Sequence, residues 1–199
     1  MVGSQTEARL IRRPNGRSNL RLDRYRDQDA AACLTLYRES IRRVASEYYD
    51  ADQVDAWAGA DVDLNAWSDR FNGRFAYVAR FGDAEDSPVR GFGDMDATGY
   101  LDRLFVSPDH QRRGIATMVV NQVFRDATRH SIATVSTDAS LSALAFFRRM
   151  RFDIQTPQRV CVRGVWMTNF RMRRMIESSV AGGTIDRVDP LSCPNPQAI

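Results

Sequence analysis

Hydrophobic and polar positions change period several times along the chain, and each change marks an element. Asn19 to Arg24 alternates, which predicts a first strand. Ala30, Cys33, Leu34, Tyr37, Ile41, Val44 and Ala45 recur at helical spacing, predicting a helix from Asp29 with Asp27 as its cap. Asp52 to Ala58 and Asn65 to Phe71 read as shorter helical pieces carrying Trp57 and Trp67. The period then shortens. Phe75 to Phe81 and Val89 to Met95 are strand-like around the turn Gly82 to Pro88, and Tyr100 to Val106 follows the tight turn Asp96 to Gly99. Ser107-Pro108-Asp109 ends that strand, and Gly114 to Arg129 is helical, with Ile115, Met118, Val119 and Val123 on one face. Ile132 to Ser136 predicts a short apolar strand and Leu141 to Met150 another helix. Phe152 to Val162 and Val165 to Met175 close the unit as a hairpin around Arg163-Gly164.

That order predicts an α/β fold with a mixed, mostly antiparallel central sheet and flanking helices. One crossover brings Ile132–Ser136 beside Tyr100–Val106. At 199 residues the chain fits a single domain. Residues 1–18 and 177–199, rich in Gly, Ser and Pro and poor in apolar residues, are expected to be a flexible leader and a flexible tail around the domain 19–176.

Composition removes several chemistries. All 28 basic residues are Arg, so there is no lysine base, Schiff-base lysine or Walker-type phosphate loop. Cys33, Cys161 and Cys193 are widely spaced, and with only two His they give no metal-ligand pattern, so no metal is expected. The absence of a signal-like or membrane-length apolar stretch predicts a cytoplasmic protein without a membrane partner. The net charge of +3 and pI near 9.0 suggest a nucleic-acid partner at first sight. The excess, however, comes from Arg9, Arg12, Arg13 and Arg17 against Glu7 in the leader, and residues 19–199 balance. No nucleic acid is therefore expected.

The informative segment runs from Leu104 to Thr117. A buried strand enters a short loop, and the loop opens a long helix. The first amides of such a helix lack internal acceptors and carry partial positive charge. Gly114 and the small Ala116 allow close approach to that backbone, and Arg112 and Arg113 add charge, which together suit a pyrophosphate. The alternative is that Gly114 only permits a turn and both arginines are solvated.

Context favours the first reading. Gln111-Arg112-Arg113-Gly114-Ile115-Ala116 fits the Q/R-x-x-G-x-G/A signature of the GNAT superfamily of acetyl-CoA-dependent N-acetyltransferases, and Leu104-Phe105-Val106-x-Pro108 is its usual lead-in. Ser140 to Phe152 resembles the family's next helix. Tyr48 to Ala58 and Gly164 to Met172 resemble its bacterial YafP-like branch. The resemblance spans about residues 19–176. It implies a single-domain GNAT-like fold in which Tyr100–Val106 bulges and splays from the following strand, with acetyl-CoA as co-substrate lying in the gap. Leu104, Phe105 and Val106 would line the pantetheine arm, and Gln111, Arg112, Arg113, Gly114, Ile115, Ala116 and Thr117 would hold the pyrophosphate. Ser140 and Phe147 would approach from the other side. Homodimerisation through the C-terminal strands is common among relatives.

The implied reaction is acetyl transfer to an amine by direct attack. It needs a neutral amine, support for the oxyanion and an exit for the thiolate. Backbone N–H near Val106 suits the oxyanion. Asp102 stands where many relatives carry a Glu base, with a salt bridge to Arg103 or another arginine as the equal alternative, and Asp94 is the second candidate. Two positions depart from the family. Phe147 replaces a Tyr that often protonates the thiolate; water, Tyr100 or a hydroxyl from the acceptor side would have to substitute. Arg151 replaces the usual Gly before Phe152, which predicts strain or a different turn if that position takes positive φ. Phe147 and Arg151 also motivate the alternative of a non-catalytic acyl-CoA-binding sensor. Tyr48 and Tyr49 lie where the family's acceptor lid forms and are acceptor-binding candidates, whereas both Trp57 and Trp67 are expected in the core. His110 is expected to be a solvated loop residue, and the arginines from Arg159 to Arg174 the outer face of the hairpin.

Overall fold

The computed structural model describes residues 19–59 and 62–176. The expected leader, the expected tail and Cys193 lie outside the described residues. Strand β1 (Leu20–Arg24) leads through a 3-10 turn (Asp27–Asp29) into α1 (Ala30–Arg43), α2 (Ala51–Ala58) and α3 (Leu64–Asp69). Strands β2 (Phe75–Phe81), β3 (Val89–Met95) and β4 (Leu101–Val106) form a meander, and a second 3-10 turn (Pro108–His110) enters α4 (Ile115–Arg129). The chain ends in β5 (Thr134–Ser140), α5 (Leu144–Arg149), β6 (Asp153–Val162) and β7 (Val165–Met175).

The sheet is split. One part has the order β1-β2-β3-β4 and the other β5-β7-β6, each antiparallel throughout. They join at one parallel bridge between Tyr100 and Ser136, where the Ser136 N–H donates to the Gly99 carbonyl at 2.9 Å. Past that point β4 and β5 share no ladder, so the expected splaying is present.

Apolar clusters fix both faces. Leu101, Val120, Val123, Val135 and Met172 pack beneath α4 and α5. Cys33, Leu34, Trp67, Val78 and Phe92 pack beneath α1 and α3. Full burial of each such large side chain contributes about 1.5–3 kcal/mol. Helix α4 packs directly over Gly91 and Gly93 of β3. A Cβ on Gly93 would stand 2.8 Å from the Arg103 carbonyl oxygen and 2.9 Å from Val119 Cγ1.

Several local expectations need correction. Asp27 does not cap α1. The residue preceding that helix is Asp29, whose side chain makes no capping bond and instead accepts from the Arg26 N–H at 3.0 Å and binds Arg80. Strand β5 extends to Ser140 rather than ending at Ser136, because its buried row is Val135, Thr137 and Ala139, and a polar Thr in that row hides the alternation. Helix α5 starts only at Leu144, since Ser140 Oγ accepts from the Ala143 N–H at 3.3 Å and holds the preceding residues as a turn. Nor are the hairpin arginines simply an outer face. Arg171 forks onto Asp138, and Arg174 Nη1 donates to the Met150 carbonyl at 2.7 Å.

Candidate active site

The gap between β4 and β5 has a defined polarity. The Ser107 N–H donates to the Arg90 carbonyl at 2.9 Å, which makes Gly91–Val106 and, two residues back, Gly93–Leu104 the non-hydrogen-bonded pairs of this ladder. The amide and carbonyl groups of Leu104 and Val106 consequently turn away from β3 and into the gap. The Val106 carbonyl is already engaged there by Ser40 Oγ at 2.8 Å and Gln111 Nε2 at 3.1 Å. The Val106 N–H and both backbone groups of Leu104 remain directed into the gap.

At the far end of the gap, Arg112 (φ 61°) and Gly114 (φ 84°) adopt left-handed backbone. Alternation of this kind makes successive N–H groups converge. Gly114 precedes α4 without a side-chain cap, and the first internal bond is from the Met118 N–H to the Gly114 carbonyl at 2.9 Å. The Ile115, Ala116 and Thr117 amides therefore have no acceptor within the helix. Nothing lies within 4 Å of where a Gly114 Cβ would stand, so the glycine is required by its φ and leaves open space above those amides.

A cleft of about 540 Å³ connects this anion-suited end to the fork between β4 and β5. The expected cofactor-side residues Leu104, Phe105, Val106, Gln111, Arg112, Gly114, Ile115, Ala116, Thr117, Ser140 and Phe147 all line it, as do Asp102 and Tyr48. Arg113, Asp94 and Tyr49 do not.

Asp102 owes its place to a bulge. Asp94 pairs with Arg103 and Met95 with Leu101, so Asp102 is the extra residue of β4 and has no partner on β3. Its carboxylate makes only long ion pairs, 3.6 Å to Arg103 Nε and 3.7 Å to Arg70 Nη2, and its side chain is 30% exposed. Asp94 is its opposite. Fully buried, it receives Arg103 Nε at 2.6 Å, Arg103 Nη2 at 3.0 Å and the Arg74 guanidinium. Burial pushes its carboxyl up from the ordinary value while hydrogen bonds from Arg103 and Arg74 pull against it. Asp94 serves the frame and lies outside the cleft.

Tyr49 is likewise committed. Its hydroxyl donates to the Thr168 carbonyl at 2.8 Å and accepts from the Leu141 N–H at 2.9 Å, tying the end of the α1–α2 connection to β7 and to the turn before α5. Tyr48, half exposed, is left facing the cleft. The expectation for the tryptophans divides: Trp67 is core, but Trp57 is only partly buried and lines the cleft, edge-on to Tyr49 and Phe105. His110 also lines it, with Nδ1 3.1 Å from Ser107 Oγ. Burial, then the nearby Arg90 and Arg113 charges, hold its imidazole below the ordinary value.

Phe147 is buried against Phe146 and Phe152 and offers no proton donor. Arg151 does take positive φ, 62°, so the strain expected from replacing glycine is present.

Two features escaped sequence reasoning. One is the Gly91/Gly93 pair, signalled only by two glycines at strand spacing opposite a long helix. The other is Asp138 on β5, which lines the cleft beside Ser140. It receives Arg171, Gln158 Nε2 at 2.8 Å and the Tyr100 hydroxyl at 3.2 Å. Burial alone would raise its carboxyl, but the bonds from Arg171 and Gln158 and the Arg171 charge outweigh it and hold the group below the usual range. Among the described residues no group of three or more His, Cys, Asp or Glu could hold a metal ion, and no helix is long and apolar enough to cross a membrane.

A sheet forked beside an uncapped helix start, with strand backbone open to the gap, defines a mixed α/β architecture suited to a long ligand with an anionic end. Its sequence relatives make the class specific. The profile of the acetyltransferase (GNAT) domain matches residues 45–174, and the chain belongs to the GNAT acetyltransferase family. It is 30% identical over 156 residues to the uncharacterized N-acetyltransferase YafP of Escherichia coli K12, covering 78% of this chain and 96% of that protein. Among solved structures, a GCN5-related N-acetyltransferase from Rhodopseudomonas palustris superposes with a TM-score of 0.73 at 25% identity, covering 79% of this chain and 96% of the other. The PaiA N-acetyltransferase from Thermoplasma acidophilum, solved with coenzyme A, shares the fold with a TM-score of 0.63 at 14% identity, covering 79% and 99%.

Proposed function

We propose that the domain over 19–176 transfers an acetyl group from acetyl-CoA to a primary amine of a small molecule or peptide, by direct attack in a ternary complex in the cytoplasm. The observation carrying this reading is one continuous cleft whose two ends suit the two halves of the donor. Convergent amides of Arg112 to Thr117 suit a pyrophosphate, and the gap-facing backbone of Leu104 and Val106 suits an amide-bearing arm added like an extra strand. Arg112 stands at the same end.

Acetyl-CoA supplies an activated thioester; the chain supplies placement and proton handling. Asp102 is the open carboxylate at the fork. It accepts the proton of the incoming ammonium, directly or through one water, so that the nitrogen lone pair becomes available. The Val106 N–H is the donor for the developing oxyanion. Phe147 gives no acid, yet a thiol with a pKa near ~8.5 leaves tolerably as its anion at neutral pH.

Calorimetric titration with acetyl-CoA and a thiol-release assay over a panel of primary amines test the reading. Saturable binding and amine-dependent thiol release are expected. Absence of binding overturns it, and binding with no turnover on any amine favours the sensor alternative that Phe147 motivates.

A further inference from the structure

The acceptor end of the cleft has a composition that goes beyond "an amine", and the inference drawn from it rests on the transfer reading above. Above the fork, α1 contributes Ile41 and, at its end, Val44, while the α1–α2 connection contributes Tyr48 and α2 contributes Trp57. These are apolar or aromatic surfaces. On the strands below stand the two acids of the lining, Asp102 on the β4 bulge and Asp138 on β5. Their guanidinium partners, Arg103 and Arg70 for Asp102 and Arg171 for Asp138, are not among the lining residues, so the acidic member of each pair is the one that borders the cleft. The cations that do line the cleft are Arg112, in the loop before α4, and Arg149 on α5, both on the donor side.

We infer that the acceptor is a cationic amine carried on an apolar or aromatic body and lacking a carboxylate next to the amine: an aralkylamine or alkylamine rather than an amino acid. An ammonium group can pair with Asp102, whose own ion pairs are long, while the Arg171-bound Asp138 adds to the acidic lining, and a ring can lie against Trp57 and Tyr48, where the aromatic faces also attract positive charge. A carboxylate on the same carbon would meet the acidic side of the cleft rather than Arg112 or Arg149, which stand in the loop before α4 and on α5, and an unpaired charge there is costly. Trp57 and Asp138 become specificity-determining residues, one for the body and one for the charge.

The matched probes are 2-phenylethylamine, phenylalanine and 1,4-diaminobutane, titrated calorimetrically into the full-length protein saturated with coenzyme A. The expected order is 2-phenylethylamine tightest, with phenylalanine at least about tenfold weaker because its carboxylate is unpartnered. Diaminobutane is weaker because it leaves the aromatic wall uncovered. Trp57→Ala should weaken 2-phenylethylamine about tenfold while leaving coenzyme A affinity unchanged. Tyr48→Ala, at a half-exposed position, should weaken it less in the same sense. Asp138→Asn should narrow the gap between 2-phenylethylamine and phenylalanine. Equal or tighter binding of phenylalanine, or no binding of 2-phenylethylamine to the coenzyme A complex, overturns the inference. Because these are binding measurements, they stand apart from acetyl transfer: amine selectivity without thiol release would retain this subsite and remove the catalytic reading.

Discussion

Asp94 and Asp102 flank the same arginine and have opposite fates. Asp94 forms short, two-pronged bonds with Arg103, is joined by Arg74 and is sealed from solvent. Asp102 reaches Arg103 only at 3.6 Å and stays partly open to the cleft. The difference comes from one extra residue. The bulge in β4 leaves Asp102 without a cross-strand partner, while Asp94 sits within the ladder and holds Arg103, whose guanidinium carbon lies 3.9 Å from the Phe71 ring centroid. One carboxylate is spent on an arginine that reaches the end of α3, and the other borders the cleft with only long ion pairs, as the proposed base must. Identical side chains thus divide into frame and site through backbone register alone.

Substitution should separate the two. Asp94→Asn leaves Arg103 and Arg74 without their buried counter-charge and should lower stability by about 3–5 kcal/mol, read as a fall in the urea midpoint. A midpoint within error of the parent would show that the pair is not structural. Asp102→Asn should do the reverse. Its stability should stay within ~0.5 kcal/mol and acetyl-CoA affinity should be unchanged, while turnover on a working amine falls about 10²–10⁴-fold. Unchanged turnover would move the base elsewhere.

Asp138 lies between these cases, facing the cleft but forked by Arg171. Its folded-state carboxyl is held below the ordinary value of about 3.9, so its ionised form stabilises the fold fully above that pH. The contribution disappears as pH falls through the lowered value. With Arg171 largely in solvent, Asp138→Asn should cost about 1 kcal/mol or less at pH 7. That deficit should shrink toward zero in denaturation curves taken at pH 3 and below, and a deficit that grows on acidification would contradict the sign.

The smallest expected change lies away from these carboxylates. Arg151→Gly relieves a left-handed residue and should raise stability by about 1 kcal/mol or less, since the gain is offset by the greater freedom of glycine in the unfolded chain. Acetyl transfer should not change, and a loss of activity would mean that Arg151 contributes to the site.

Much of this molecule was legible in its sequence because the relevant physics is local. Alternation and helical spacing placed the strands and helices to within a few residues. The loop from Gln111 to Thr117 is contiguous, so its glycine and the helix start that follows could be read directly. Errors arose where a residue's role depends on a distant partner. Asp27 resembled a cap, but the turn places Asp29 beside Arg80, far along the chain. Tyr49 resembled an acceptor contact, but its hydroxyl is consumed by Thr168 and Leu141. Trp57 resembled core, yet only part of its surface is covered.

The sequence by itself determined the element order, the anion-suited helix start and the family, since each depends on short-range spacing or backbone preference. The tertiary structure alone decided which carboxylates open into the cleft, that Asp138 joins Asp102 there, and that Gly91 and Gly93 let α4 approach the sheet. Those outcomes depend on strand register and on packing between segments remote in sequence, and neither is written in any local pattern of residues.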